Sequence, residues 1–343
     1  MKESKIVLTL FILLEVAILG VIIFLICNKT IENSNLPKGI SDAPAGLLPL
    51  TDPQSSSTSS HLPKSRSMTC DIIIPCIPNH VKFLKERLTE IDNQTRKPDG
   101  VIIALSEYDR IKSNELENSL KEIFSKVSVL STEKPQKAWD NRDRGAVYSN
   151  ADVYCFLDAD DRVHPQRVEA AMEKFESMNV LALLCEGSTN PDIMDKQYEK
   201  DSFSYITGTY VYENELKRSE KFEIQVKHFF DCGIQYSPGV IIINSDLWWS
   251  LGGQSKIALG NQEVLDNNGI GEDIVFIRTI INELEDKDQF IIMRNPLLVM
   301  NGSVDRNETH WDADPTIGED KTLPEVKILI KNRVDQSPLS KEN

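Results

Sequence analysis

Two glycine-rich signatures are missing from this chain. The first candidate strand, Cys70 to Pro75, runs on into Cys76-Ile77-Pro78-Asn79-His80 and not into Gly-x-Gly-x-x-Gly, and no Gly-rich loop ending in Lys-Ser or Lys-Thr occurs. Such loops bring backbone N–H groups against phosphates, so their absence speaks against a dinucleotide dehydrogenase and a P-loop enzyme. Positive charge is short as well: 38 Lys and Arg stand against 53 Asp and Glu, a net charge of −15. A nucleic-acid surface needs clustered Lys and Arg, which argues against one here. An anionic nucleotide handled by so acidic a protein calls for a bridging cation. Cysteine is scarce, with six in 343 residues and no zinc-type spacing. Cys70, Cys155 and Cys185 lie in or beside apolar runs, where the thiol acts as a small hydrophobe.

One long apolar run is present. Ile6 to Cys27 is 22 residues without Lys, Arg or Asp, and 17 of them are Leu, Ile, Val or Phe. That length spans a hydrocarbon core. Glu15 costs about 3 kcal/mol near the centre of a span, which many apolar residues at roughly 0.3 to 0.6 kcal/mol each outweigh. The run is too long for the apolar part of a cleaved signal peptide. Residues 1–5 then form a short N-terminal tail, 6–27 a transmembrane anchor and 28–68 a Ser/Pro-rich stalk that cannot bury a core. Lys2 and Lys5 precede the span and Lys29 and Lys38 follow it, so the positive-inside count is nearly level. The short tail favours a cytoplasmic N-terminus.

From residue 69 the pattern changes. Cys70 to Pro75, Val101 to Leu105 and Val127 to Leu130 read as buried strands, separated by segments with helical periodicity. Alternation of this kind means βαβ units and a mainly parallel sheet. After a polar segment, Ser131 to Asn150, comes Val153-Tyr154-Cys155-Phe156-Leu157-Asp158-Ala159-Asp160-Asp161. An apolar strand ending in three carboxylates is the organising feature of the chain. Open α/β sheets bind ligands at such strand ends. On an extended backbone Asp158 and Asp160 face the same way and can share one hard cation with a diphosphate. The plainer reading is a solvated acidic turn with capping residues. Further on, Leu247-Trp248-Trp249-Ser250-Leu251-Gly252-Gly253 precedes Gly269-Ile270-Gly271-Glu272-Asp273, which opens a helix. Acidic residues there also suit the helix dipole.

Taken in order, these segments resemble glycosyltransferases of the family-2 type with the GT-A (Rossmann-like) α/β fold. The resemblance rests on the strand ending at Pro75, on Asn93-Gln94-Thr95…Pro98, on Phe156 to Asp161, and on Leu251-Gly252-Gly253 with Gly271-Glu272-Asp273. It covers a domain taken as residues 69–310, leaving 311–343 as a polar C-terminal tail. It implies Mn²⁺ or Mg²⁺ as cofactor, with Asp160 the main protein ligand, Asp158 touching metal or ribose, and His310 a further ligand. It implies Asp273 as general base beside Glu272. On the donor side it implies Pro75, Glu107 as stand-in for the usual acidic residue after the second strand, and Asp143 within the loosely matching Asn141-Arg142-Asp143-Arg144-Gly145. The partners implied are a nucleotide-sugar donor and a glycan, protein or lipid acceptor. With no further membrane spans, transfer of a single sugar, inverting by one displacement, is expected. A retaining enzyme of the same fold and an inactive membrane-tethered binding protein are the alternatives. Supply of nucleotide-sugars places a luminal domain in Golgi or endoplasmic reticulum, as a type II single-pass protein; reversed orientation places it in the cytoplasm.

Overall fold

The computed structural model describes residues 67–199, 203–205, 241–260, 272–284, 286–300 and 323–341. The chain divides into Met1–His61 and Leu62–Asn343, and all described residues belong to the second unit. The expected anchor (6–27) and nearly all of the stalk lie outside them. Among the described residues no helix is long and apolar enough to cross a membrane.

The first half alternates strand and helix, as the periodicity predicts for all but the last helix: β1 (Cys70–Cys76), α1 (Leu84–Asp92), β2 (Gly100–Leu105), α2 (Arg110–Lys121), β3 (Val127–Ser131), α3 (Ala138–Tyr148) and β4 (Val153–Phe156). Ile72, Ile73 and Ile74 of β1 are fully buried, because helices cover both faces of a parallel sheet. α2 starts where the Asp109 carboxylate accepts the Ile111 and Lys112 N–H groups, both at 2.9 Å, the usual N-cap arrangement. The second half contributes β5 (Arg162–Val163), α4 (Arg167–Ser177), β6 (Ala182–Ser188), β7 (Phe203–Tyr205), β8 (Ile241–Asn244), α5 (Ser245–Ser250), α6 (Gly253–Gly260), α7 (Glu272–Glu283), β9 (Phe290–Val299) and α8 (Pro324–Gln336).

Among the described residues the strands form one sheet in the order β3-β2-β1-β4-β8-β6-β9-β5, with β7 on β9. β1 runs parallel to β2 and to β4, and β2 to β3. β8 enters antiparallel between β4 and β6, and β6 and β9 are again parallel. The chain builds outward from β1 through β2 to β3, then returns to place β4 on the other side of β1. That reversal makes the C-terminal ends of β1 and β4 the switch point of the strand order, the place where open α/β sheets commonly hold their ligands.

Two segments differ from the sequence expectation. The polar stretch Ser131 to Asn150 contains α3, whose Asp140, Asn141, Arg142, Asp143 and Arg144 are at most 3% exposed. Its polar side chains are buried within the fold instead of facing water, several of them bonded to α6, so it carries no amphipathic signal. The C-terminal residues expected as a polar tail include α8, which packs against α3 and α5. There Arg333 donates to the Val147 and Ser149 carbonyls at 3.1 and 2.8 Å, and Val326 is buried.

α3 lies close against β1. A Cβ placed on Gly145 would stand 2.5 Å from Ile73 Cγ2, so only glycine permits this approach. Gly145→Ala is expected to lower stability by about 1–3 kcal/mol, read as a fall of several degrees in the melting temperature.

Candidate active site

The acidic loop after β4 is held by buried side chains on both sides. Before it, the Arg167 guanidinium, fully buried in α4, donates from Nη2 to the Phe156 carbonyl at 3.0 Å. After it, Glu90 of α1 accepts the Val163 N–H at 3.1 Å and the Arg162 Nε at 2.8 Å, while also pairing with the buried Arg87. Gln94 clamps the next turn: its amide donates to the His164 carbonyl at 2.7 Å and accepts the Val168 N–H at 3.1 Å. The Thr95 N–H adds a bond to the Pro165 carbonyl at 2.9 Å. The Asn93-Gln94-Thr95 motif is thus a structural clasp for the start of α4. Within the loop the Asp161 N–H closes a turn on the Asp158 carbonyl at 3.1 Å.

Asp158 is partly buried and accepts Nη2 of the buried Arg142 at 3.0 Å. Arg142 is fixed in turn by Gln254 of α6, whose side-chain oxygen accepts Nη1 at 3.2 Å. Burial pushes the Asp160 carboxyl up from its ordinary value, and the neighbouring Asp158 adds to this, while His80 draws it down. His80 sits in the 3₁₀ turn Pro78–Phe83 that follows β1, with Nδ1 3.8 Å from Asp160 Oδ1. Two carboxylates, an imidazole and a guanidinium therefore gather where β1 and β4 end. Oxygen and imidazole donors of this sort suit a hard to borderline divalent cation, and paired carboxylates favour any cation placed between them.

The other predicted residues fall as follows. Pro75 is buried in β1, and the parallel register Ile73↔Phe156, continued two residues, brings it level with Asp158. Glu107 is exposed just beyond β2, at the same sheet edge, with a left-handed backbone at φ 52°. That conformation is uncommon for a residue with a Cβ and typical of functional loops. Glu272 and Asp273 form the start of α7. His310 lies outside the described residues.

Asp143 turns to α6, which corrects the expectation of a donor contact. It is fully buried, and its oxygens accept the Gln254 and Ser255 N–H groups at 2.9 and 2.8 Å. It caps α6, and Arg142 is the member of that segment that reaches the acidic loop. The cap explains Leu251-Gly252-Gly253: Gly252 and Gly253 have φ of 84° and 80°, and a Cβ on Gly253 would stand 2.5 Å from Asp143 Oδ1. Trp248 and Trp249 are core residues. Trp248 packs on Phe156 with ring centroids 4.6 Å apart, and Trp249 Nε1 donates to the Tyr154 hydroxyl at 3.0 Å. Sequence reasoning missed Arg142 and His80; the one signal for Arg142 was its place in the loosely matched segment before the strand.

Residues 71–239 match the family model described as Glycosyl transferase family 2. The match takes in β1 to the residues just before β8, within the mixed α/β sheet described above. No curated protein matches it. Among solved structures it is similar to S. aureus TarS 1-349, at 12% identity and a TM-score of 0.40, with 67% of this chain and 59% of that one covered. It is also similar to glucosyl-3-phosphoglycerate synthase from Mycobacterium tuberculosis, in complex with Mn²⁺, uridine-diphosphate and glucosyl-3-phosphoglycerate, at 14% identity and a TM-score of 0.44 over 71% of this chain and 75% of that one. The chain thus spans about 59% of the TarS structure's length.

Asp143→Ala strands two buried N–H groups at the start of α6 and is expected to cost about 2–3 kcal/mol in chemical denaturation. Burial pushes the Asp143 carboxyl up to about 7, against the hydrogen bonds from Ser255 and Gln254 that lower it. Folding thus raises its proton affinity, so its contribution to stability is greatest at low pH and declines as pH rises towards 7. The stability gap between wild type and Asp143→Ala is expected to be larger at pH 5 than at pH 8.

Proposed function

We propose that the chain transfers a single sugar from a nucleotide-sugar to an acceptor hydroxyl with the help of Mn²⁺ or Mg²⁺, inverting the anomeric centre by one displacement. The observation that carries this reading is that Asp158 and Asp160 follow β4 at the switch point beside β1, with Arg142 and His80 against them. Among the described residues no group of three or more His, Cys, Asp or Glu side chains is arranged to hold a metal ion, so a divalent cation here would rest on Asp160 and few other protein donors, with the diphosphate completing its shell. Among the described residues the ion pair of Asp160 is with His80, at a shortest approach of 3.8 Å. When bound, the cation neutralises charge on the departing nucleoside diphosphate.

The protein's own part is positioning and proton transfer. Arg142, locked by Gln254, offsets the charge of Asp158 and fixes its orientation towards metal or ribose. Pro75 and Glu107 line the donor side of the same edge. Asp273, with Glu272 at the start of α7, would take the acceptor hydroxyl proton as that oxygen attacks the anomeric carbon. His310 is the candidate for completing the metal site from the C-terminal side. The acceptor is a glycan, protein or lipid. The apolar run Ile6 to Cys27 supports a membrane tether, and with it a catalytic domain in the Golgi or endoplasmic reticulum lumen.

The test is release of nucleoside diphosphate from a panel of nucleotide-sugars, with Mn²⁺, Mg²⁺ or EDTA. One donor is expected to be hydrolysed slowly, with the activity lost in EDTA and in Asp160→Ala. Once an acceptor is found, Asp273→Asn is expected to lower kcat at least about 100-fold, the range for loss of a general base, with donor Kd changed less than about threefold. Silence across the panel, with no metal-dependent nucleotide binding, would favour an inactive binding protein on this fold.

A further inference from the structure

We propose that His80 supplies an imidazole nitrogen to the divalent cation held at Asp160. The inference rests on the metal reading above and adds a ligand from the first strand's end to those that follow β4 and the candidate His310.

Three observations carry it. The first is position. Pro78 opens the short turn after β1, and the His80 N–H bonds back to the Ile77 carbonyl at 3.0 Å. This backbone arrangement sets the imidazole against the loop that follows the neighbouring parallel strand. The second is what the ring lacks. His80 is only 8% exposed, yet its Nε2 is buried without a hydrogen-bond partner. Its Nδ1 faces Asp160 Oδ1 at 3.8 Å, beyond hydrogen-bond reach. Buried polar nitrogens are normally paired; the unpaired one here is Nε2, while Nδ1 is the nitrogen turned to Asp160 and the one available to an ion there. The third is the separation itself. Two donor atoms held roughly 2.1 Å from one ion lie between about 3 and 4.2 Å apart, and 3.8 Å falls within that span.

The plain alternative is a packing histidine, since its ring also meets Phe83 edge-on with centroids 6.0 Å apart. Packing accounts for the ring face and does not account for Nδ1 standing against Asp160. An imidazole among carboxylates also has a chemical consequence: nitrogen donors favour Mn²⁺ over Mg²⁺, which prefers oxygen.

The experiment is Mn²⁺ binding to the full chain, followed by continuous-wave EPR for affinity and pulsed EPR for nitrogen coupling. Wild type is expected to bind one Mn²⁺ that depends on Asp160 and carries imidazole nitrogen coupling. In His80→Gln the coupling should fall or vanish and Mn²⁺ should bind about tenfold more weakly, with Mg²⁺ affinity changed less than threefold. Far-UV circular dichroism and the melting temperature establish that the variant is folded; His80→Asn replaces it if not. Labelling wild type with ¹⁵N-histidine reads the coupling without a substitution, and unchanged manganese spectra on labelling would overturn the proposal. Mn²⁺ that binds through Asp160 with the same affinity and coupling in wild type and in the folded His80 variant would sink the assignment while leaving the metal reading intact. Failure of wild type to bind Mn²⁺ at all would remove both.

Discussion

Asp158 and Asp160 leave the end of one strand two residues apart, and the surrounding structure is built to hold their like charges there. Repulsion between neighbouring carboxylates, together with burial, drives one of them towards its protonated form, as the raised Asp160 carboxyl illustrates. The protein offsets part of this with the Arg142 guanidinium at 3.0 Å from Asp158 and the His80 ring beside Asp160. Everything that places Arg142 follows from that need. A charged side chain can be buried only when it is paired and hydrogen-bonded, so α3 carries polar groups inward and finds partners for them on α6.

This explains why positions far apart in the chain act together. Gly145 lets α3 touch β1, Asp143 on the same helix caps α6, and α6 returns Gln254 to Arg142. Gly252 and Gly253 supply the left-handed turn that such a cap requires. On the other flank, Arg167, Glu90 and Gln94 hold the strand before the acidic loop and the turn after it. The carboxylates therefore project from a loop secured at both ends, the preorganisation that electrostatic catalysis depends on.

Much of this was legible in the amino-acid order. The βαβ alternation, the buried β1 and the strand ending at Asp158 follow from short-range periodicity, and residues 71–239 match the family that those motifs resemble. The clasp role of Gln94 and the capping role of Asp143 were not legible. Both depend on N–H or carbonyl groups more than 70 residues away or close to it, and nothing local marks them. α3 was passed over as a polar segment for the same reason: its hydrophilic residues are buried against each other and against α6, so hydrophobic periodicity is silent.

The sequence by itself determined the class of the fold and the strand end that carries the acidic pair, because apolar alternation and carboxylate spacing act over a few residues. The tertiary structure alone decided which neighbours those carboxylates have. His80 reaches Asp160 because β1 and β4 are parallel neighbours at the point where the sheet reverses its order, and Arg142 reaches Asp158 because α6 folds back on α3. Pair interactions between charged groups fade within a few ångströms of separation in water-accessible surroundings, so they are set by contacts that only the folded chain creates.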